Sequence, residues 1–173
     1  ERFEALLTAP ASDAAETAVG TEKSVAITAV ATGHVIDMSE VKDEMFSQKM
    51  MGDGVAVEPT EGVVVAPADA EVTMVMADSC HAVGLRMDNG AELLIHIGVD
   101  TVKLEGRGFE LLVKMGVRVK AGAPLVKFDR SVIHEAGYQD TVIMAVTNSS
   151  EYPLMKKTTG MDAVAGKTAV LTF

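Results

Sequence analysis

The side chains best suited to nucleophilic or metal chemistry are four histidines, His34, His81, His96 and His134, and one cysteine, Cys80. His96 stands out because it lies inside an apolar run, Leu93-Leu-Ile-His-Ile-Gly-Val99. The two-residue period of a strand puts Leu94, His96 and Gly98 on one face and Leu93, Ile95, Ile97 and Val99 on the other. A glycine sharing a face with the imidazole implies clearance beside the ring, which an approaching bulky anion needs. The plain alternative is a core histidine with both nitrogens satisfied, since buried polar groups are usually paired.

His81 enters through the turn Asp88-Asn89-Gly90, the strongest hairpin signal in the chain. Folding about that turn sets His81 near residue 97 and makes the two imidazoles neighbours on adjacent strands, with a register as firm as the turn allows. Two neighbouring imidazoles without an acidic cluster suit anion handling. One neutral ring attacks a phosphoryl group while the other donates to its oxygens, tasks matched to a reference pKa of about 6.5. A solvated strand-edge histidine is the alternative for His81. Cys80 adjoins His81, but successive strand residues point to opposite faces. It is read as a small buried hydrophobe rather than an activated thiol.

Other chemistries lack their residues. There is no HxH, HExxH or CxxC pattern, and His34 is followed by Asp37 rather than by the HxxxD spacing of zinc peptidases with a related β-fold. His81 and His96 alone hold a metal only with ligands from a partner, so no metal and no cofactor is expected. The G-x-S-x-G elbow and the glycine-rich nucleotide loops are missing. Gly106-Arg-Gly-Phe reads as a loop, and the tip at Ala68-Asp69-Ala70 has no lysine to carry a lipoyl or biotinyl group.

The elements that must position these residues are short. Apolar runs of 3–8 residues alternate with Gly, Pro, Asp and Asn: 24–30, 55–57, 62–66, 71–76, 82–87, 91–98, 117–120, 124–128, 141–147 and 168–173. Their Val and Ile content and their spacing of about 8–12 residues predict an all-β, antiparallel β-sandwich. Only 39–49 and 131–136 look helical, the second with Ser131 at a plausible N-cap and Gly137 after it. Gly62-Val-Val-Val-Ala-Pro-Ala-Asp-Ala-Glu-Val and Gly116-Val-Arg-Val-Lys-Ala-Gly-Ala-Pro-Leu-Val echo each other as strand, turn, strand, a unit common in barrel-sandwich hybrids. Residues 1–22 carry no core-facing period and read as a flexible linker or tail before a domain spanning 23–173. Glu1–Leu7 could close a helix from upstream.

Composition bounds the rest. The chain has 173 residues, 48% apolar, enough for one domain with a core. Lys+Arg is 15 against 25 for Asp+Glu, a net charge of -10, which disfavours nucleic acid and favours basic protein surfaces. Mean hydropathy is +0.23, yet no apolar run approaches the roughly 20 residues of a membrane span, and no basic-then-apolar signal sequence opens the chain. One cysteine excludes an internal disulfide and suits a reducing compartment. Met45, Met50 and Met51 precede Gly52, either as an adaptable docking surface or as core filler.

Gly90-Ala-Glu-Leu-Leu-Ile-His96-Ile-Gly-Val-Asp-Thr101-Val102 resembles, at every constrained position, the signature of the glucose-type enzyme IIA domain of the bacterial phosphoenolpyruvate-dependent sugar phosphotransferase system. Met51-Gly-Asp-Gly54, Pro59-Thr-Glu-Gly62, Val65-Ala-Pro67, His81, Leu104-Glu-Gly-Arg-Gly-Phe109, Val119-Lys-Ala-Gly122 and Phe128-Asp129 extend the resemblance over about 23–150. It implies a barrel-sandwich hybrid with one or two short helical turns. It also implies that His96 accepts a phosphoryl group through Nε2 from the carrier HPr, that His81 is the second active-site imidazole, and that a cysteine of a IIB domain is the recipient. Ser79 stands where the family places a hydroxyl on the second histidine, and Asp100 where it places a rim aspartate. The family docks through an apolar patch with phenylalanines; Phe46 keeps one, while Val83 and Ile97 replace aromatics. The implied location is cytoplasmic, with the domain freestanding or joined through 1–22 to membrane-bound IIB and IIC parts at the inner face.

Two further readings compete. One is a regulatory binding module that reports carbohydrate status through its phosphorylation state, with a zinc between the histidines in some complexes. The other is a zinc peptidase, which the missing ligands disfavour.

Overall fold

The computed structural model describes residues 25–173, so the linker reading of 1–22 and the helical turn at Glu1–Leu7 fall outside the described residues. Numbered along the chain, β1 (Ala26–Thr28) and β12 (Lys156–Lys157) flank β14 (Ala169–Thr172) in one three-stranded sheet. A second joins β4 (Val63–Val65), β10 (Pro124–Phe128) and β8 (Phe109–Leu111). The third has eight strands in the order β13 (Asp162–Ala163), β2 (Gly33–Asp37), β3 (Asp53–Pro59), β11 (Gln139–Val146), β7 (Glu92–Val99), β6 (Ala82–Met87), β5 (Ala70–Val75) and β9 (Arg118–Val119). Every strand pairing is antiparallel.

The expected β-sandwich is observed. β6 and β10 match their predicted runs residue for residue, while β2, β8, β12 and β13 were not expected. The two latter are two-residue pairings, too short for an apolar pattern, and β2 is framed by Gly33 and Asp37, which read as turn residues. The echoed units bind each other crosswise: β4 pairs with β10 and β5 with β9, so each copy straps the other.

The main core joins the inner face of the large sheet (Val55, Val57, Val83, Leu85, Leu93, Ile95, Ile97, Val142, Met144) to Ile27, Leu125, Val126 and Leu171 of the small sheets. A second, smaller cluster lies on the outer face, where Met38, Val41 and Phe46 cover Ala56, Ile143 and Ala145. β11 is therefore buried on both faces, which explains its unbroken apolar run.

The cover is the segment read as a helical turn or two over 39–49. It forms a 3-10 turn, Met38–Glu40, and a short helix, α1 (Glu44–Ser47). Asp37 and Glu40 close a capping box on the first, and the Asp43 carboxylate accepts from Met45 N on the second. The second predicted helix is α2 (Arg130–Glu135), but its cap is Asp129, whose carboxylate accepts from Ser131 N, rather than Ser131. At the C-terminal end, Lys157 Nζ lies 2.6 Å from Asp37 and 2.7 Å from Asp53, tying β12 to the edges of β2 and β3.

Candidate active site

The hairpin predicted at Asp88–Gly90 joins β6 to β7, two interior strands of the large sheet, and Ala82 sits opposite His96. His81 lies one residue before β6, and its carbonyl accepts from Ile97 N at 2.7 Å, the register the turn implies. Strict alternation would send a residue opposite Ile97 into the core. His81 lies just outside β6, where that alternation does not bind it, and Cys80 before it has a left-handed backbone, φ 58°. The two rings meet edge to face with centroids 4.7 Å apart. Cys80 itself is half-buried in this turn, Sγ toward the Ala77 carbonyl. The expectation of a strand-borne buried thiol is corrected accordingly.

Each ring is anchored at Nδ1. His96 Nδ1 lies 2.9 Å from the Gly98 carbonyl, which only accepts, so Nδ1 carries the proton and Nε2 presents its lone pair. His81 Nδ1 lies 2.7 Å from Ser79 Oγ, and both residues are buried. His81 is 4% exposed, whereas His96 is half-buried and reachable. Phe46 tilts against His96 at a centroid distance of 5.0 Å and forms one wall.

Burial lowers the His96 pKa to about 4, helped by the neighbouring His81; the Gly98 carbonyl, Asp43 and Asp100 pull the other way without prevailing. Burial also lowers His81. Both imidazoles are thus neutral at pH 7, the state a nucleophile requires.

Gly98 is needed for a reason other than the expected one. Its φ is 82°, and a Cβ there would overlap the Thr101 methyl and stand 2.8 Å from the Gln139 carbonyl. The absent side chain makes room for the Thr101 side chain and the Gln139 carbonyl, not for the imidazole, and lets the Gly98 carbonyl turn toward His96. Asp100 is exposed, with φ 65°, at the start of the following 3-10 turn, Thr101–Leu104. Val83 and Ile97, expected to dock partners, are 0% and 1% exposed and belong to the main core, so they present no docking surface. Phe46 is 5% exposed and serves as wall and core rather than as an open contact. Met45 and Met50 are exposed beside it, while Met51 packs on the outer cluster.

Beside His81 an open depression of about 690 Å³ has Val75, Met76 and Val102 as its apolar part and Asp78, Ser79 and Glu105 as its polar part. Sequence reasoning missed Asp43, which reaches the site only through the fold of the outer segment, and Thr101, whose packing against Gly98 no strand pattern shows. No group of three or more His, Cys, Asp or Glu is placed to hold a metal ion among the described residues. None of their helices is long and apolar enough to cross a membrane.

The family model for the phosphoenolpyruvate-dependent sugar phosphotransferase system, EIIA 1, matches residues 25–152. A glucose-specific EIIA component from Bacillus anthracis is 44% identical over 145 residues, 84% of this chain and 87% of that protein. A glucoside-specific EIICBA component from Staphylococcus carnosus is 46% identical over 128 residues, 74% of this chain but 18% of that protein. The solved structure of glucose permease IIA from Mycoplasma capricolum superposes with a TM-score of 0.76 at 30% identity, covering 90% of this chain and 99% of that one. An antiparallel β-sandwich bearing paired, neutral imidazoles is a phosphocarrier architecture. The chain belongs to the EIIA family of the phosphoenolpyruvate-dependent sugar phosphotransferase system.

Proposed function

We propose that His96 Nε2 is the phosphoryl acceptor, that HPr is the donor and that a cysteine of a IIB domain is the recipient. The observation that carries this reading is the bond from His96 Nδ1 to the Gly98 carbonyl, which leaves Nε2 unprotonated on a ring fixed to a central strand. In the first transfer, the Nε2 lone pair attacks phosphorus in line with the P–N bond of the incoming phosphohistidine. That bond breaks, its electron pair returns to the donor ring, and the positive charge gained by His96 is shared through Nδ1–H with the Gly98 carbonyl. In the second, a thiolate attacks phosphorus, the P–Nε2 bond breaks, and His96 returns to neutrality.

Little covalent machinery is needed beyond placement and donors for the equatorial oxygens. His81 supplies a donor from Nε2–H when Ser79 Oγ donates to its Nδ1. The Phe46 wall keeps water from the P–N bond. The carboxylates Asp43, Asp78, Asp100 and Glu105 suit basic partner faces, so encounter slows as salt rises. The fused relative supports association with IIB and IIC parts.

The test is labelling with phosphoenolpyruvate, enzyme I and HPr. A single acid-labile phosphate is expected, and His96→Ala should remove it; label that survives this substitution overturns the site.

A further inference from the structure

Thr101 is fully buried, and the transfer steps above make no use of it. Its hydroxyl donates to the Ile97 carbonyl, four residues back. Ile97 N is engaged as well, donating to the His81 carbonyl at 2.7 Å. Both faces of residue 97 are therefore held, and with them the plane of the Ile97–Gly98 peptide. The Thr101 methyl crowds the position where a Gly98 Cβ would stand, and the Gln139 carbonyl of β11 lies 2.8 Å from it. Between these contacts Gly98 adopts a left-handed backbone, φ 82°, with no room for a Cβ.

The turn is not closed by its cap. Asp100 precedes the 3-10 turn but makes no side-chain cap bond, and its backbone is left-handed. The Thr101 hydroxyl instead reaches back to the strand end, donating to Ile97. Its bond to Ile97 closes a loop from residue 97 to residue 101, the Gly98–Val99 peptide lies inside that loop, and the Gly98 carbonyl points at His96 Nδ1, 2.9 Å away.

From this geometry we infer that Thr101 is a positioning residue: by closing the loop from Ile97 to Thr101 around the Gly98–Val99 peptide, it holds the Gly98 carbonyl on Nδ1 and thereby selects the His96 tautomer whose Nε2 is free. The inference rests on the phosphocarrier reading for its significance, but not for its test.

The test reads the His96 tautomer by nitrogen NMR on histidine-labelled full chain at pH 7.5, in the wild type, T101V and T101S. Valine keeps the shape and loses the hydroxyl; serine keeps the hydroxyl. The wild type and T101S should hold the Nδ1–H form. T101V should show both tautomers, and its phosphorylation by HPr should slow about tenfold, as expected for a misplaced reacting group. A folded T101V with an unmixed Nδ1–H ring overturns the inference. Should T101V not fold, T101S decides, since mixed tautomers with the hydroxyl retained would equally overturn it. The tautomer is read without any phosphoryl donor. A wild type that HPr fails to label would sink the phosphocarrier reading and leave this measurement standing.

Discussion

His81 and His96 stand edge to face at 4.7 Å, yet neither ring holds the other: His81 is anchored through Ser79 and His96 through Gly98. Two separately fixed imidazoles can divide the labour, one as nucleophile and one as donor to the transferred group.

His81→Ala tests that division. The ring is buried against Ser79 and its removal leaves the β6–β7 ladder intact, so the fold should survive. Transfer from phosphorylated His96 to a IIB thiol should slow by about a hundredfold, the usual cost of one lost donor to a developing anion. Unchanged transfer would show the second ring to be dispensable.

The pH dependence follows from the depressed imidazoles. His96 falls from 6.5 to about 4 on folding, so the unfolded chain binds a proton that the folded chain refuses between those values. Stability is unaffected above pH 6.5 and declines as pH falls toward 4, by about 2 kcal/mol once screening of a half-buried ring is allowed for. His81 shifts in the same direction. Urea unfolding between pH 7.5 and 4.5 should therefore show a steeper loss for the wild type than for His96→Gln; parallel curves would contradict the shift. Phosphate acceptance should stay level from pH 8 to pH 6, where Nε2 remains unprotonated.

Gly98→Ala should cost about 3 kcal/mol, combining a left-handed backbone with overpacking against Thr101 and the Gln139 carbonyl. It should also abolish phosphate acceptance, because relief of the overlap moves the carbonyl that holds His96. Denaturant midpoints together with labelling check both halves. A variant that is destabilised yet labelled at the normal rate would separate Gly98 from the tautomer.

Lys157→Ala probes the tie at the C-terminal end. Burial alone would raise Asp37, but the Lys157 ammonium and Ser39 hold its carboxyl well below the usual range. Removing the ammonium leaves Asp37 and Asp53 facing each other, half-buried, and should cost about 2 kcal/mol, between surface and buried ion pairs. An unchanged denaturant midpoint would mark the cluster as solvent-screened.

Much of this arrangement is legible in the sequence because the turn at Asp88–Gly90 fixes which residues of β6 and β7 meet. What strand parity does not show is where the strand stops. His81 reaches the His96 ring from just outside β6, where alternation no longer governs, and Gly98 makes room for Thr101 because the chain turns back at Asp100. Parity was the better guide for Ile97, which it places opposite His96 and in the core, against the docking role implied by analogy. The outer cluster was hidden for a different reason. Met38, Val41 and Phe46 are spread over a turn and a four-residue helix, with no repeating period, and meet Ile143 only through tertiary contact.

The mooring of Nδ1 to the backbone has a kinetic corollary. A ring that cannot swivel offers one berth, so the protein that delivers the phosphoryl group must depart before the one that collects it can arrive. Throughput is then a queue of alternating visits, and its ceiling is set by how quickly each visitor lets go.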